Sequence, residues 1–235
     1  MIHSLLNRYE KEWAELQGKP IPAGTIRPTN PLLLNVPPAY FNADYKVMVF
    51  GQENNDWERA FPHQGGVSHM LEKYQKFYNE GDCYTKQGGQ WWNGIKNFKA
   101  RLQERSRSNG KSVHLLWNNL IKIGKKGEKG VPPQAIIDWQ DKWFDLVRYE
   151  VCELSPNIVV FFAGPSYDRY IERIFPNTTF AEVNHRPVRQ LARITASGFL
   201  PERSVIRTYY PNFLYHQGRA RFAEIMAEII VAVEM

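Results

Sequence analysis

Lys46–Asn55 reads KVMVFGQENN. A short unbroken apolar run ends at a glycine, and a cluster of amide and acid groups follows. A run this short and this continuous fits a strand buried on both faces better than one face of a helix. The glycine lets the backbone turn sharply where the strand stops. The same punctuation recurs downstream. Val113–Trp117 (VHLLW) precedes Asn118-Asn119-Leu120-Ile121-Lys122, Ile158–Phe162 (IVVFF) precedes Ala163-Gly164-Pro165-Ser166, and Ser204–Thr208 (SVIRT) precedes Tyr209–His216. Shorter strand candidates, Thr179–Val183 and Gln190–Ile194, flank His185-Arg186-Pro187.

Helical periodicity fills the intervals. Val67–Tyr78, Trp91–Arg105, a long stretch from Pro133 to Leu154 and the closing Arg219–Val233 read as amphipathic helices, as does the segment carrying Tyr167, Tyr170, Ile171 and Ile174. At the N-terminus Ile2, Leu5, Leu6, Tyr9, Trp13 and Leu16 recur at helical spacing until Gly18 and Pro20, and residues 20–45, with six prolines, read as an extended arm. Apolar strands alternating with amphipathic helices define an α/β protein, a three-layer α/β/α sandwich around a short central parallel sheet. One domain is expected over 1–235, with helix and arm over 1–45 and the core over 46–235.

Composition narrows the function classes. A chain of 235 residues, 43% hydrophobic and 23% charged, can bury its own core. Two cysteines, Cys83 and Cys152, exclude a disulfide framework and any four-cysteine zinc or iron–sulfur site made by this chain alone. The charged start MIHSLLNRYEKEWAEL does not read as a signal peptide, and no segment approaches the ~20 apolar residues of a membrane span. A cytoplasmic monomer is the expectation. The net charge of +6 is unevenly spread. Residues 86–130 hold eleven basic and two acidic side chains, and residues 186–221 seven and one, while the remainder is acidic. Two positive blocks on an acidic body suit a polyanion, and equally describe a solvated basic face.

In parallel sheets the ligand sits beyond the carboxyl ends of the strands, so the four polar segments there carry the chemistry. Glu53 can orient or deprotonate a water, or it is an acid complementing a helix N-terminus; Asp56 is the competing carboxylate. Asparagine pairs a donor with an acceptor, a match for a nucleobase edge. With Asn118 and Asn119 adjacent, one faces a cleft whichever way the chain runs. The glycine–lysine stretch with Lys122, Lys125, Lys126 and Lys129 can approach phosphates, or is a mobile solvent loop. Ala163–Ser166 brings small residues to a helix start, for a phosphate or for packing. Leu214 reads as an apolar side chain on a basic loop, a wedge between bases.

In their order and spacing over residues 46–219, these segments together resemble the uracil-DNA glycosylase superfamily. GQENN at Gly51–Asn55 is similar to that family's GQDPY motif, LLWNNLIK at Leu115–Lys122 to the strand whose closing asparagine binds the base, and YPNFLYHQGR at Tyr210–Arg219 to its HPSPL motif. IVVFFAGPS resembles the strand–glycine step before the family's third helix. The resemblance implies base flipping and hydrolysis of an N-glycosidic bond in double- or single-stranded DNA, with no metal and no cofactor. It places Glu53 at the water-orienting acid, Asn119 (or Asn118) at the base-reading amide, Tyr210 at the catalytic histidine, and Leu214 at the wedge. It further assigns Gly51, Gln52, Asn54, Asn55, Phe61 and His216 to the base, and Gly164, Ser166, Asn212 and Arg219 to DNA, to which the glycine–lysine stretch adds Lys122, Lys125 and Lys126. The departures are Asn54 and Asn55 for the motif's proline and tyrosine, and Tyr210 for its histidine. Two other function classes stand beside a glycosylase acting on a deaminated or modified base: a non-catalytic nucleic-acid binder on the same fold, and a small-molecule nucleoside or nucleotide hydrolase.

Overall fold

Val47–Phe50, Leu115–Leu116, Ile158–Phe162 and Val205–Ile206 are all removed from solvent, as strands covered on both faces must be. The computed structural model describes residues 2–24 and 26–233, with the side chain of Ile2 outside the described part. The sheet has six strands in the order β2-β1-β3-β6-β5-β4. These are β1 (Tyr45–Asn55), β2 (Val113–Lys125), β3 (Ile158–Phe162), β4 (Thr179–Glu182), β5 (Leu191–Thr195) and β6 (Val205–Thr208). β2, β1, β3 and β6 are mutually parallel, whereas β5 runs antiparallel to both β6 and β4. The helices are α1 (Ile2–Gln17), α2 (Pro38–Phe41), α3 (Gly66–Tyr74), α4 (Gly89–Ser108), α5 (Gln134–Trp143), α6 (Val147–Leu154), α7 (Asp168–Ile174), α8 (Pro211–His216) and α9 (Arg219–Ala232). They flank the sheet as the outer layers of an α/β/α sandwich. Among the described residues, no helix is long and apolar enough to cross a membrane.

Four elements differ from their sequence reading. β1 and β2 continue past their apolar runs, so that GQENN and NNLIKIGK are strand and not loop. The polar groups that suggested a loop are satisfied from a distance: Gln140 Oε1 accepts from the N–H groups of Lys122 and Ile123, and Thr29 Oγ1 accepts from that of Gly124. The stretch from Pro133 to Leu154 is two helices, because the chain leaves helical geometry at Phe144. The segment after β6 forms α8, with Pro211 at its first turn.

α1 and the arm belong to the same core as the sheet. Leu5, Tyr9, Trp13 and Leu16 pack with Leu32–Leu34 and the strands. Arm residues also pair with the far end of the edge strand: Thr29 N–H donates to Gly124 O (3.1 Å), Leu32 N–H to Lys122 O (3.0 Å), and Lys126 N–H to Arg27 O (2.8 Å). Further back along the same edge, the Tyr74 hydroxyl donates to Trp117 O (2.7 Å) and accepts from Trp117 N–H (3.1 Å), while the Tyr78 hydroxyl donates to Leu115 O.

Candidate active site

Strand alternation decides what the two asparagines do. Successive side chains of a strand point to opposite faces. Asn118 therefore turns toward α6, where its Nδ2 donates to Glu150 Oε2 (2.8 Å) and its Oδ1 accepts from Lys122 Nζ (2.8 Å). Lys122 Nζ also pairs with Glu150 (2.8 Å), and the Tyr9 hydroxyl donates to the other Glu150 oxygen (2.6 Å). All four groups are buried, which corrects two expectations. Lys122, at 0% exposure, meets no phosphate, and Asn118 reads no base. Their polar atoms close a network inside the protein instead.

Asn119 points the other way, beside Gly51, its register partner in β1. Its amide is oriented by a relay. Asn54 Nδ2 donates to the carbonyl of Lys122, so Asn54 Oδ1 is the acceptor for Asn119 Nδ2 (2.7 Å). Asn119 Oδ1 is left as an acceptor above the Gly51 backbone, where a Cβ on residue 51 would collide with it. Past Glu53↔Ile121 the register slips, and Asn55 faces Lys125. That bulge tightens the β1–β2 contact until only a glycine fits at 124, against the Asn54 carbonyl.

A cavity of about 370 Å³ opens at the carboxyl edge of these strands, within the ~300–1,000 Å³ of small-molecule sites. Its lining includes Glu53, Asn119 and Tyr210, together with Gly51, Gln52, Asn54, Asn55 and Asn212. Trp57, Phe77, Trp91, Trp92 and Trp117 form apolar walls, and Lys129 stands at the rim. The Tyr210 ring stacks on Trp91 with centroids 4.7 Å apart and planes 16° from parallel, which fixes its hydroxyl. Burial and the nearby Glu53 push that hydroxyl up to about 12, so it stays protonated, a donor at neutral pH. Glu53 accepts a hydrogen bond from the Tyr167 hydroxyl. Burial holds the Glu53 carboxyl above the ordinary carboxylate range, while the Tyr167 bond and the Lys125 charge pull it back down. Asp56, the competing carboxylate, is committed to Lys126 (2.7 Å) outside the cavity.

A smaller hollow of about 210 Å³ adjoins the first and shares Gln52 and Tyr210 with it. Gly164, Ser166, Arg189, Tyr209 and Phe213 line it. Gln52 is pinned between the two, its Nε2 donating to Ala163 O (2.8 Å).

Several expected residues lie elsewhere. Leu214 is 1% exposed inside α8 and cannot act as a wedge; its neighbour Phe213, at 43%, is the side chain that protrudes. Phe61 is buried edge-on between Trp13 (5.3 Å) and Trp139 (5.5 Å) and offers no face to a base. His216 and Arg219 are exposed, but neither lines either hollow. Lys125 and Lys126 are paired with Glu128 and Asp56. The arginine block is largely structural as well. Arg207 is buried in a two-pronged pair with Asp168 (2.8 and 2.9 Å), and Arg186 pairs with Glu224 and Glu228. Sequence reasoning gave no site role to Tyr167, Trp57 and Phe77, while Lys129, read with the glycine–lysine stretch, does reach the cavity. The adjacent Trp91-Trp92 pair reads from sequence as a stacking clamp or as buried tryptophans, and here both are buried in the cavity wall. No known family model matches the chain, and no curated protein matches it in sequence.

Proposed function

We propose that the protein is a DNA glycosylase that hydrolyses the N-glycosidic bond of a flipped-out deaminated or modified base. The observation that carries this reading is the convergence of Glu53, Asn119 and Tyr210 on one aromatic-walled cavity. Glu53 holds a water against C1′ and takes its proton as the water oxygen bonds to that carbon. The electrons of the breaking C1′–N bond leave with the base. Asn119 Oδ1 accepts from a ring N–H of the base, and the Tyr210 hydroxyl donates to the oxygen or nitrogen on which negative charge collects. Gly89 and Gln90 bring the first turn of α4 to the same wall, and that turn has no side-chain cap. Its free N–H groups favour an anionic leaving group. The walls suit a planar base taken out of the stack. Phe213 takes the part of the apolar side chain entering the duplex, beside Arg189 and Ser166 for the flanking backbone.

The test uses oligonucleotides carrying uracil, hypoxanthine or 5-substituted pyrimidines, followed by alkaline cleavage at abasic sites. Strand scission is expected with at least one lesion, falling by about 100-fold or more in Glu53→Gln. If every oligonucleotide stays intact while salt-sensitive DNA binding is unaffected by Glu53→Gln, the protein is a binder and not an enzyme. If free nucleosides are consumed and oligonucleotides are not, it is a nucleoside hydrolase.

A further inference from the structure

Beyond the cavity, a second group of chemically able side chains gathers where the segment after β1 meets α3. Glu58, His63 and His69 each bring one donor atom to within 4.8 Å of the other two. The imidazole rings of His63 and His69 lie face to face, with centroids 3.9 Å apart and planes 10° from parallel, and His69 Nε2 is 2.9 Å from Glu58 Oε2. The other Glu58 oxygen is held by Lys73 Nζ (2.7 Å), which orients the carboxylate. All three donor residues are partly exposed, so an ion can reach them.

Residue 65 is shaped to this approach. A Cβ there would stand 2.7 Å from His69 Cβ and 3.2 Å from His63 Nδ1, so only glycine lets the two histidines come together. Gly65 lies at negative φ, where alanine is conformationally at ease. Space and not backbone freedom therefore demands glycine there. Tetrahedral zinc with ~2.0–2.1 Å bonds separates its donors by about 3.3 Å, so the cluster draws in and the stacked rings turn until their in-plane lone pairs converge, filling three of four positions and leaving water in the fourth.

We propose that Glu58, His63 and His69 form a binding site for a single divalent transition-metal cation of the zinc class. Two imidazoles and a carboxylate suit zinc, and exclude the all-oxygen preference of magnesium and calcium. The ion fastens the turn after β1 to α3. That turn carries Asp56, Glu58 and Arg59 at positive φ and sets Trp57 in the cavity wall. Binding gives up the Gly65 N–H bond to His63 Nδ1, and water replaces it at that exposed glycine. The site is independent of the chemistry proposed for the cavity.

The experiment is a titration of the purified 235-residue chain with Zn2+ by calorimetry, and with Co2+ by visible absorption. One ion per chain is expected, with a rise in the thermal midpoint on adding zinc. The His63→Ala/His69→Ala double variant should lose at least tenfold in affinity and lose the thermal shift. Gly65→Ala, which removes no donor, should also weaken binding. Glu58→Gln and His63→Gln serve where the double variant is misfolded by circular dichroism. The proposal is overturned if the wild type takes up no zinc at millimolar concentration. Equal binding by the wild type and the ligand variants overturns it too, since the ion would then sit on other histidines or cysteines.

Discussion

Glu53 is pulled two ways. Burial raises its pKa, whereas the Tyr167 hydroxyl and Lys125 lower it. In the proposed mechanism Glu53 must be ionised to accept a proton, and Tyr167, followed by Lys125, favours that form. In Tyr167→Phe the carboxyl rises further, and the acid limb of the pH–rate profile is expected to move to higher pH with the alkaline limb unchanged. The stability sign follows from the same shift. The folded state keeps the Glu53 proton in a pH range where the unfolded chain has already lost it, so stability falls as pH climbs from the ordinary carboxylate value through the raised one. Glu53→Gln removes that penalty. At neutral pH its thermal midpoint should equal or exceed that of the wild type while its activity disappears, a pairing typical of sites held for function. At this scale the sequence pointed to Glu53 and to the Asn118–Asn119 pair through their places after apolar runs, and to Tyr210 through the resemblance alone. It hid Tyr167, whose bond to Glu53 spans 114 residues. It also misassigned Leu214, because α8 turns that side chain inward and its neighbour outward. Glu58, His63 and His69 match no compact ligand spacing, since their meeting depends on a glycine between them.

Two glycines set the geometry of the β1–β2 pair, and they separate function from folding. Gly51→Ala places a methyl against Asn119 Oδ1, with Trp91 only 3.2 Å away, and both are side chains that can shift. Turnover should therefore fall by at least tenfold with a modest loss of stability, checked by pairing single-turnover rates with thermal melts. At Gly124 the obstacle is the Asn54 backbone carbonyl, which cannot move without breaking the bulge. Gly124→Ala is expected to destabilise by about 1–3 kcal/mol or more in denaturant unfolding. The apolar runs KVMVF, VHLLW and IVVFF announced their strands directly. The extensions did not, because a strand whose polar groups are met by Gln140, Thr29 and Glu150 has the composition of a loop. The alternation of Asn118 and Asn119 was readable as a two-way choice, and the position of Glu150 settles it.

Across the whole molecule, the Lys122–Glu150 network joins α1, β2 and α6. A buried pair gains little over apolar packing, but breaking it leaves an uncompensated charge. Lys122→Met should cost about 3–5 kcal/mol, and adding Glu150→Leu should recover part of that loss, measured by equilibrium unfolding of both variants. The fold class was legible because alternating apolar strands and amphipathic helices leave few layered arrangements. The charge distribution was not, since Arg207 and Lys122 serve buried pairs, and Arg186 is neutralised by Glu224 and Glu228, where sequence counting assigns all three to a surface field.

The outer margin of β2 has one more consequence. An unpaired strand margin is a template on which another copy can grow a sheet. Here the hydroxyls of Tyr74 and Tyr78 stand in for a neighbouring strand along Leu115–Trp117, and the arm does the same along Lys122–Lys126. Tyr74→Phe combined with Tyr78→Phe keeps both rings in place over this buried margin but leaves the Leu115 and Trp117 carbonyls and the Trp117 N–H without their hydroxyl partners. Each orphaned buried group costs about 1–3 kcal/mol, so equilibrium unfolding should show a loss of that size or more against the wild type. Two phenolic oxygens thus do for this margin what a further strand would otherwise do.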